Sequence, residues 1–149
     1  MSIFHSMNNS ASALTAQRLR MDVISSNMAN AESTRGKLVN GEWQPYRRKS
    51  VVLEPKEAQF SNFLNKAINR SSAGNGVKAT RIIEDETPFK LVYNPEHPDA
   101  NDEGYVELPN VDPLREMVDL ISATRSYEAN VTVLNASKSM LMKALEIGK

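Results

Sequence analysis

The chain has 149 residues, 18 basic and 18 acidic side chains and no cysteine, so a disulfide framework, a thiolate nucleophile and a cysteine-based zinc site are excluded. Zero net charge argues against a general nucleic-acid or anionic-membrane binder, which relies on surplus Lys and Arg. No apolar run approaches the ~20 residues that span a bilayer.

Residues 1–35 contain neither glycine nor proline. Those residues cost a helix interior roughly 1 and 3 kcal/mol, so the segment reads as an N-terminal helix. Met7, Leu14, Met21 and Met28 recur every seven residues, with Phe4, Ala11 and Ile24 beside them, which gives one apolar face. The helix is soft, because 11 of the first 35 residues are Ser or Asn, types that favour caps and turns. Ser6, Asn8, Asn9, Ser10 and Ser12 also interrupt the only stretch that could serve as the apolar core of a signal peptide. The expected location is therefore the cytosol, or a compartment reached by another route.

The end of this segment, Ser26-Asn27-Met28-Ala29-Asn30-Ala31, has two readings of comparable weight. In one it is a helix C-terminus, where Asn tolerates the left-handed conformation. In the other, buried amides bond across to neighbouring backbones and fix a register.

The middle, 36–111, holds five of the six glycines and six of the seven prolines and reads as a β-rich insert. Strands are expected at Tyr46–Glu54, Val77–Glu84, Phe89–Tyr93 and Tyr105–Leu108. Phe60, Phe63, Leu64, Ala67 and Ile68 fit either a short amphipathic helix or a loop packed by those side chains. The insert is electrically two-faced. Arg35 to Arg81 carries ten basic residues against three acidic, and Glu84 to Glu116 two against ten. Tyr46, Arg47, Arg48 and Lys49 form the most basic cluster, read either as a nucleic-acid contact or as a solvated or ion-paired strand edge. Asp99, Asn101, Glu103 and Gly104 imitate the start of a calcium-binding loop. Asn110 at its twelfth position, with Pro98 and Pro109 where helices should flank it, removes that reading. His5 and His97 have no ligand spacing, so no metal, cofactor or catalytic site is expected.

The last segment, 112–149, opens on Asp112 as N-cap, Pro113 at the first helical position and Glu116 in the first turn, and closes at Gly148. Leu120, Tyr127, Leu134 and Leu141 form one heptad line; Met117, Thr124, Val131 and Leu145 form a second, broken by Lys138. The expected class is α+β: long terminal helices pairing in a coiled-coil-like arrangement, with a small β-rich insert between them.

Asn27-Met28-Ala29-Asn30 followed by Thr34 resembles the Asn-x-Ala-Asn…Thr signature of the bacterial flagellar rod and hook axial proteins. Four further stretches narrow the resemblance to the proximal-rod branch: Pro45-Tyr46-Arg47-Arg48, Tyr93-x-Pro95-x-His97-Pro98-x-Ala100, Pro109-Asn110-Val111 and Arg125-x-Tyr127-Glu128-Ala129-Asn130-Val131. Residues 55–76 are the least family-like. The resemblance implies a non-enzymatic subunit that polymerises helically, joins the membrane-embedded base to the hook and transmits torque. It implies terminal helices stacked in an inner tube with the insert outside. Its implied partners are itself and other rod subunits, a rod-base adaptor, the distal rod protein, and the flagellar type III export apparatus with a chaperone. Asn27, Ala29, Asn30 and Thr34 would serve assembly, Met7, Leu14, Met21 and Met28 with Met117, Leu120, Tyr127, Val131, Leu134, Leu141 and Leu145 the helix seam, and Tyr46, Arg47 and Arg48 a surface facing adjacent subunits. Without the resemblance, the residues would also allow a cytosolic coiled-coil regulatory or nucleic-acid-binding module.

Overall fold

The computed structural model describes residues 3–56 and 76–148. Helix α1 spans Ile3–Ala29 and helix α2 Pro113–Ile147. Between them lie three two-stranded pairs: β1 (Lys37–Val39) with β2 (Glu42–Gln44), β3 (Lys49–Pro55) with β4 (Val77–Glu84), and β5 (Lys90–Tyr93) with β6 (Tyr105–Leu108). The class is α+β, two long terminal helices packing together with small antiparallel strand pairs between them. The segment around Phe60–Ile68, expected as a short helix or packed loop, lies outside the described residues.

Both helices end where the chemistry of their caps dictates. The Asp112 carboxylate accepts the Leu114 N–H at 3.0 Å and its carbonyl accepts the Glu116 N–H at 3.0 Å, so two of the first-turn donors of α2 are satisfied. At the end of α1, the Asn30 side chain donates to the Ser26 carbonyl at 2.8 Å. Asn30 does this without entering the left-handed region, where Asn40 is the only non-glycine among the described residues.

Asn40 and Gly41, at φ 53° and 91°, form the two-residue turn that joins β1 to β2. An Asn-Gly pair suits such a turn, because both central residues need positive φ to match the twist of the strands. This hairpin was not among the expected strands, although its dipeptide signal is present. Conversely, the strand expected from Tyr46 begins only at Lys49. Pro45 has no N–H to offer a ladder, and the Tyr46 N–H is engaged by the Ser33 carbonyl at 3.1 Å.

The chain divides into two compact units, and both helices run through each. The first comprises the described residues within Met1–Leu19, Val52–Arg81 and Ala123–Lys149. Its buried residues are small: Ser10, Ala16, Ala123 and Ser137. Met7, Leu14, Tyr127, Val131, Leu134 and Leu141 are half-buried around them. There the Val77 N–H donates to Ser12 Oγ at 3.1 Å, anchoring the start of β4 on α1. The second unit comprises Arg20–Val51 and Ile82–Ser122, and its buried positions are Val23, Ile24, Asn27, Pro45, Gly104, Val106, Pro109 and Glu116.

Close packing in the second unit leaves no room at Gly36, where an added Cβ would stand 2.6 Å from both Tyr46 Cα and Tyr46 N. Gly36→Ala should therefore cost about 1–3 kcal/mol, as overpacking does. Leu38→Ala, at a neighbouring position 55% exposed, should stay within about 0.5 kcal/mol. Urea unfolding followed by circular dichroism would measure both.

Candidate assembly site

Asn27 projects from the last turn of α1 and is fully buried. Every hydrogen-bonding position of its amide is used. Nδ2 donates to the Lys49 carbonyl at 2.8 Å and to Glu116 Oε2 at 2.9 Å, while Oδ1 accepts the Lys49 N–H at 2.9 Å and the Tyr46 hydroxyl at 3.0 Å. The side chain stands in for a neighbouring strand at the point where β3 begins. A buried N–H or C=O must find a partner, so α1 and the chain at Lys49 are held in one register.

Glu116, in the first turn of α2, is also fully buried. Its Oε1 accepts from Arg48 Nε at 2.7 Å, and its Oε2 from Asn27. Arg48 is 14% exposed and reaches two further carboxylates, Asp85 at 3.7 Å and Asp119 at 3.5 Å; Asp119 in turn meets Arg20 at 3.3 Å. The Arg48 N–H donates to Asn110 Oδ1 at 2.8 Å, and the Asn110 amide donates to the Asp85 and Thr87 carbonyls. Charge thus alternates along Arg20, Asp119, Arg48 and Glu116, and ends on a neutral amide. The amide and hydroxyl of Thr87, ahead of Arg48 and Arg115, hold the Asp85 carboxyl below the usual range.

A second cluster follows the end of α1. Thr34 Oγ1 donates to Asp99 Oδ2 at 2.8 Å, Arg35 Nε donates to Asp99 Oδ1 at 2.8 Å, and the Asp99 N–H is accepted by His97 Nδ1 at 3.1 Å. Hydrogen bonds from Arg35, then Thr34, lower the Asp99 pKa. The Asn101 carbonyl oxygen of the side chain already accepts the Glu103 and Tyr105 N–H groups. Among the described residues, no three His, Asp or Glu side chains are grouped to hold a metal ion.

The structure separates the residues singled out in the sequence. Of the two readings of the 26–31 motif, Asn27 takes the buried cross-bonding role and Asn30 the helix-end role, with Ser33 Oγ donating to its Oδ1 at 3.2 Å. Ala29 is exposed in the last position of α1, and Met21 and Met28 are half-buried. Of the three residues expected on a surface facing adjacent subunits, Tyr46 bonds Asn27 and Arg48 bonds Glu116 within the chain, while Arg47 stacks over Phe89 at 4.4 Å. Asn27 and Glu116 provide the buried partners that draw Tyr46 and Arg48 in.

Glu116 was missed as a site residue because it also suits the helix dipole. Its position four residues before Leu120, on the same line of α2, is the signal of an inward-facing charge. Glu116 takes that face, so Met117, one position on, rotates outward and is 48% exposed. Leu145 is 70% exposed as well: with 35 residues against 27, α2 outruns its partner.

Outside the buried network, α2 presents an apolar face to solvent. In the second unit Leu114, Met117, Val118 and Ile121, spaced i, i+3, i+4 and i+7, are 48–74% exposed. In the first unit Val133, Met140 and Ile147 repeat every seven residues and are at least half exposed.

Two family models match the chain. The one described as flagella basal body rod protein covers residues 7–36, and the one described as flagellar basal body rod FlgEFG protein C-terminal covers 102–147. Asn27 lies in the first and Glu116 in the second. The chain is 67% identical over 150 residues to the flagellar basal-body rod protein FlgC of Bacillus subtilis, with 100% of each covered. It is 44% identical to the proteins of that name from Borreliella burgdorferi, covering 99% of this chain and 98% of the relative, and Escherichia coli O157:H7, covering 100% of each.

Removing one member of a buried charge pair is strongly destabilising, whereas replacing both by apolar groups is often tolerated. Arg48→Met should cost about 3–5 kcal/mol, and the double variant Arg48→Met/Glu116→Leu should recover part of that loss in denaturant titration. A carboxylate whose folded pKa is depressed contributes stability above its unfolded pKa and loses it as pH falls through the folded value. Stability should therefore decline from about pH 4 downward, and Asp99→Asn, which has no charge there to lose, should make that decline shallower.

Proposed function

The chain belongs to the FlgC family of flagellar basal-body rod proteins, and from that premise we propose that it is a subunit that polymerises helically through its terminal helices. Its role is structural and its place is the flagellar basal body. In this reading the axial segments 1–35 and 112–149 stack against neighbouring subunits, with the insert 36–111 outside them, and the polymer transmits torque between the base and the hook. The observation that carries the reading is the exposed apolar line Leu114, Met117, Val118 and Ile121 on α2. A monomeric soluble protein rarely exposes such a contiguous patch, and one on a long helix is suited to burial against another helix.

We further propose that the chain leaves the cell without cleavage, through the flagellar type III apparatus. Supporting this are the Ser- and Asn-rich α1 and, among the described residues of the first unit, buried side chains that are small: Ser10, Ala16, Ala123 and Ser137. Small side chains between two helices gain little from burial in the monomer, so in this reading the terminal helices pass through readily unfolded and become ordered by burying their apolar faces in the assembly. No helix among the described residues is long and apolar enough to cross a membrane. Its partners in this reading are its own copies, other rod subunits, a rod-base adaptor and the distal rod protein.

Val118→Asp and Ile121→Asp should leave the monomer's stability within about 0.5 kcal/mol, since both sites are open, while removing the chain from the rod. Quantitative mass spectrometry of isolated basal bodies, with soluble protein as control, checks this. Normal incorporation of both variants would sink the assembly role of this face. Leu134→Asp, at a half-buried position on the inner face, should damage both folding and assembly.

A further inference from the structure

The sequence segregates its charges into a basic and an acidic half, and the structure shows which of them pair within one chain. Arg35 meets Asp99, and Arg48 meets Asp85, Glu116 and Asp119. Among the described residues, the other Lys, Arg, Asp and Glu side chains of 35–81 and 84–116 form no salt bridge, and they are not scattered. Lys37, Arg47 and Lys49 line a cavity of about 160 Å³ in the second unit, floored by Tyr46 and Gly36 and bordered by a single carboxylate, Glu84. None of the three cations forms a salt bridge with a described residue. Lys49 Nζ rests over the Tyr46 ring at 5.4 Å, and Arg47 gives one N–H to the Asp85 carbonyl at 3.4 Å, leaving most of its guanidinium donors free.

The unpaired acids include Glu96, Asp102 and Glu103, all exposed on the loop 94–104. This loop is closed at its neck by the Asn94 N–H to Gly104 carbonyl bond at 2.9 Å and braced by His97 to Asn94, Ala100 to His97 and Gly104 to Asn101 bonds. It is a compact, ready-formed acidic knob, so docking it would require little further ordering.

We propose that the Lys37/Arg47/Lys49 cavity and its rim take carboxylate side chains of the acidic 94–104 loop of a second copy of this chain, the loop itself lying outside the cavity. The inference rests on the rod-subunit reading and adds to it the surfaces that meet. Cavity and knob are different parts of one molecule, so the contact is heterologous. It propagates from copy to copy and gives a helical series unless its rotation closes a ring. Three cations facing three carboxylates fix the direction of docking, and two copies joined cavity to cavity would repel.

The absence of native cysteine permits a direct test. A Lys37→Cys/Glu103→Cys double variant, and cells co-expressing the two single variants, would be used to prepare basal bodies for treatment with a short bismaleimide. The double variant should give a ladder of dimers and higher species on a denaturing gel. The co-expressed singles should give heterodimers only, and each single alone should give monomer. If the variants are incorporated into basal bodies but yield no chain-to-chain product, or join only a different protein, the proposal is overturned. Equal dimer formation by Lys37→Cys alone would overturn the head-to-tail direction. Retention of the purified chain on phosphatidylglycerol vesicles, lost in Lys49→Glu, would replace the second copy with an anionic surface and also overturn it. Absence of the unmodified chain from basal bodies would instead defeat the rod-subunit reading.

Discussion

The carboxylate of Glu116, fully withdrawn from water at the start of α2, is the constraint that the rest of the second unit serves. A lone buried charge costs several kcal/mol, so the fold must bring it a cation and a hydrogen-bond donor. Arg48 and Asn27 answer both needs, and they come from segments far apart in the chain. A sliding of α1 by one residue, about 1.5 Å along its axis, would take the Asn27 amide off Glu116 and Lys49 together. Apolar packing tolerates such a slip far better than this network does. The network therefore contributes definition of register more than net stability.

The packing around it has the opposite character. Among the described residues, the buried hydrophobic residues of the two units are Ala16, Val23, Ile24, Val106 and Ala123, none larger than isoleucine. Small side chains let two helices approach closely but remove little apolar surface from water. The bulkier Leu114, Val118, Ile121, Met140 and Ile147 lie outside, where a full burial of each would be worth about 1.5–3 kcal/mol. Specificity is thus concentrated inside the single chain, and most of the unused hydrophobic driving force is on its exterior. That division suits a subunit that must remain separate until it meets its neighbours and then bind in one orientation.

Much of this architecture was legible from the distribution of Gly and Pro. Clearing both from 1–35 and 114–147 foretold α1 and α2, and the Asp112–Pro113 pair marked where α2 starts. The strands β4 and β6 follow their β-branched and aromatic runs. What escaped was decided by long-range partners. Tyr46 and Arg48 are good strand residues, but Asn27, Asn110 and Ser33 satisfy the local backbone in place of a strand ladder. Periodicity alone put Met117 on the seam, whereas the electrostatic demand of Glu116 rotates that face inward and Met117 out. The β1–β2 hairpin is a different case, since Asn40-Gly41 announces it locally and the short, mostly exposed strands on either side concealed it.

Residue type separates the charges that pair within one chain from those left at its surface. The cations engaged within the second unit are arginines: Arg20, Arg35 and Arg48. A planar guanidinium is weakly hydrated and can bond several carboxylates from a fixed geometry, as Arg48 does with three. Lysine ammonium is strongly hydrated and better kept at the surface, where Lys37 and Lys49 remain. The two populations also respond differently to salt, because exposed pairs are screened while the pair around buried Glu116 is not. In the proposed assembly, ionic strength would therefore loosen contacts between copies without opening the network that holds each copy in register, so assembly and folding could be separated in one titration.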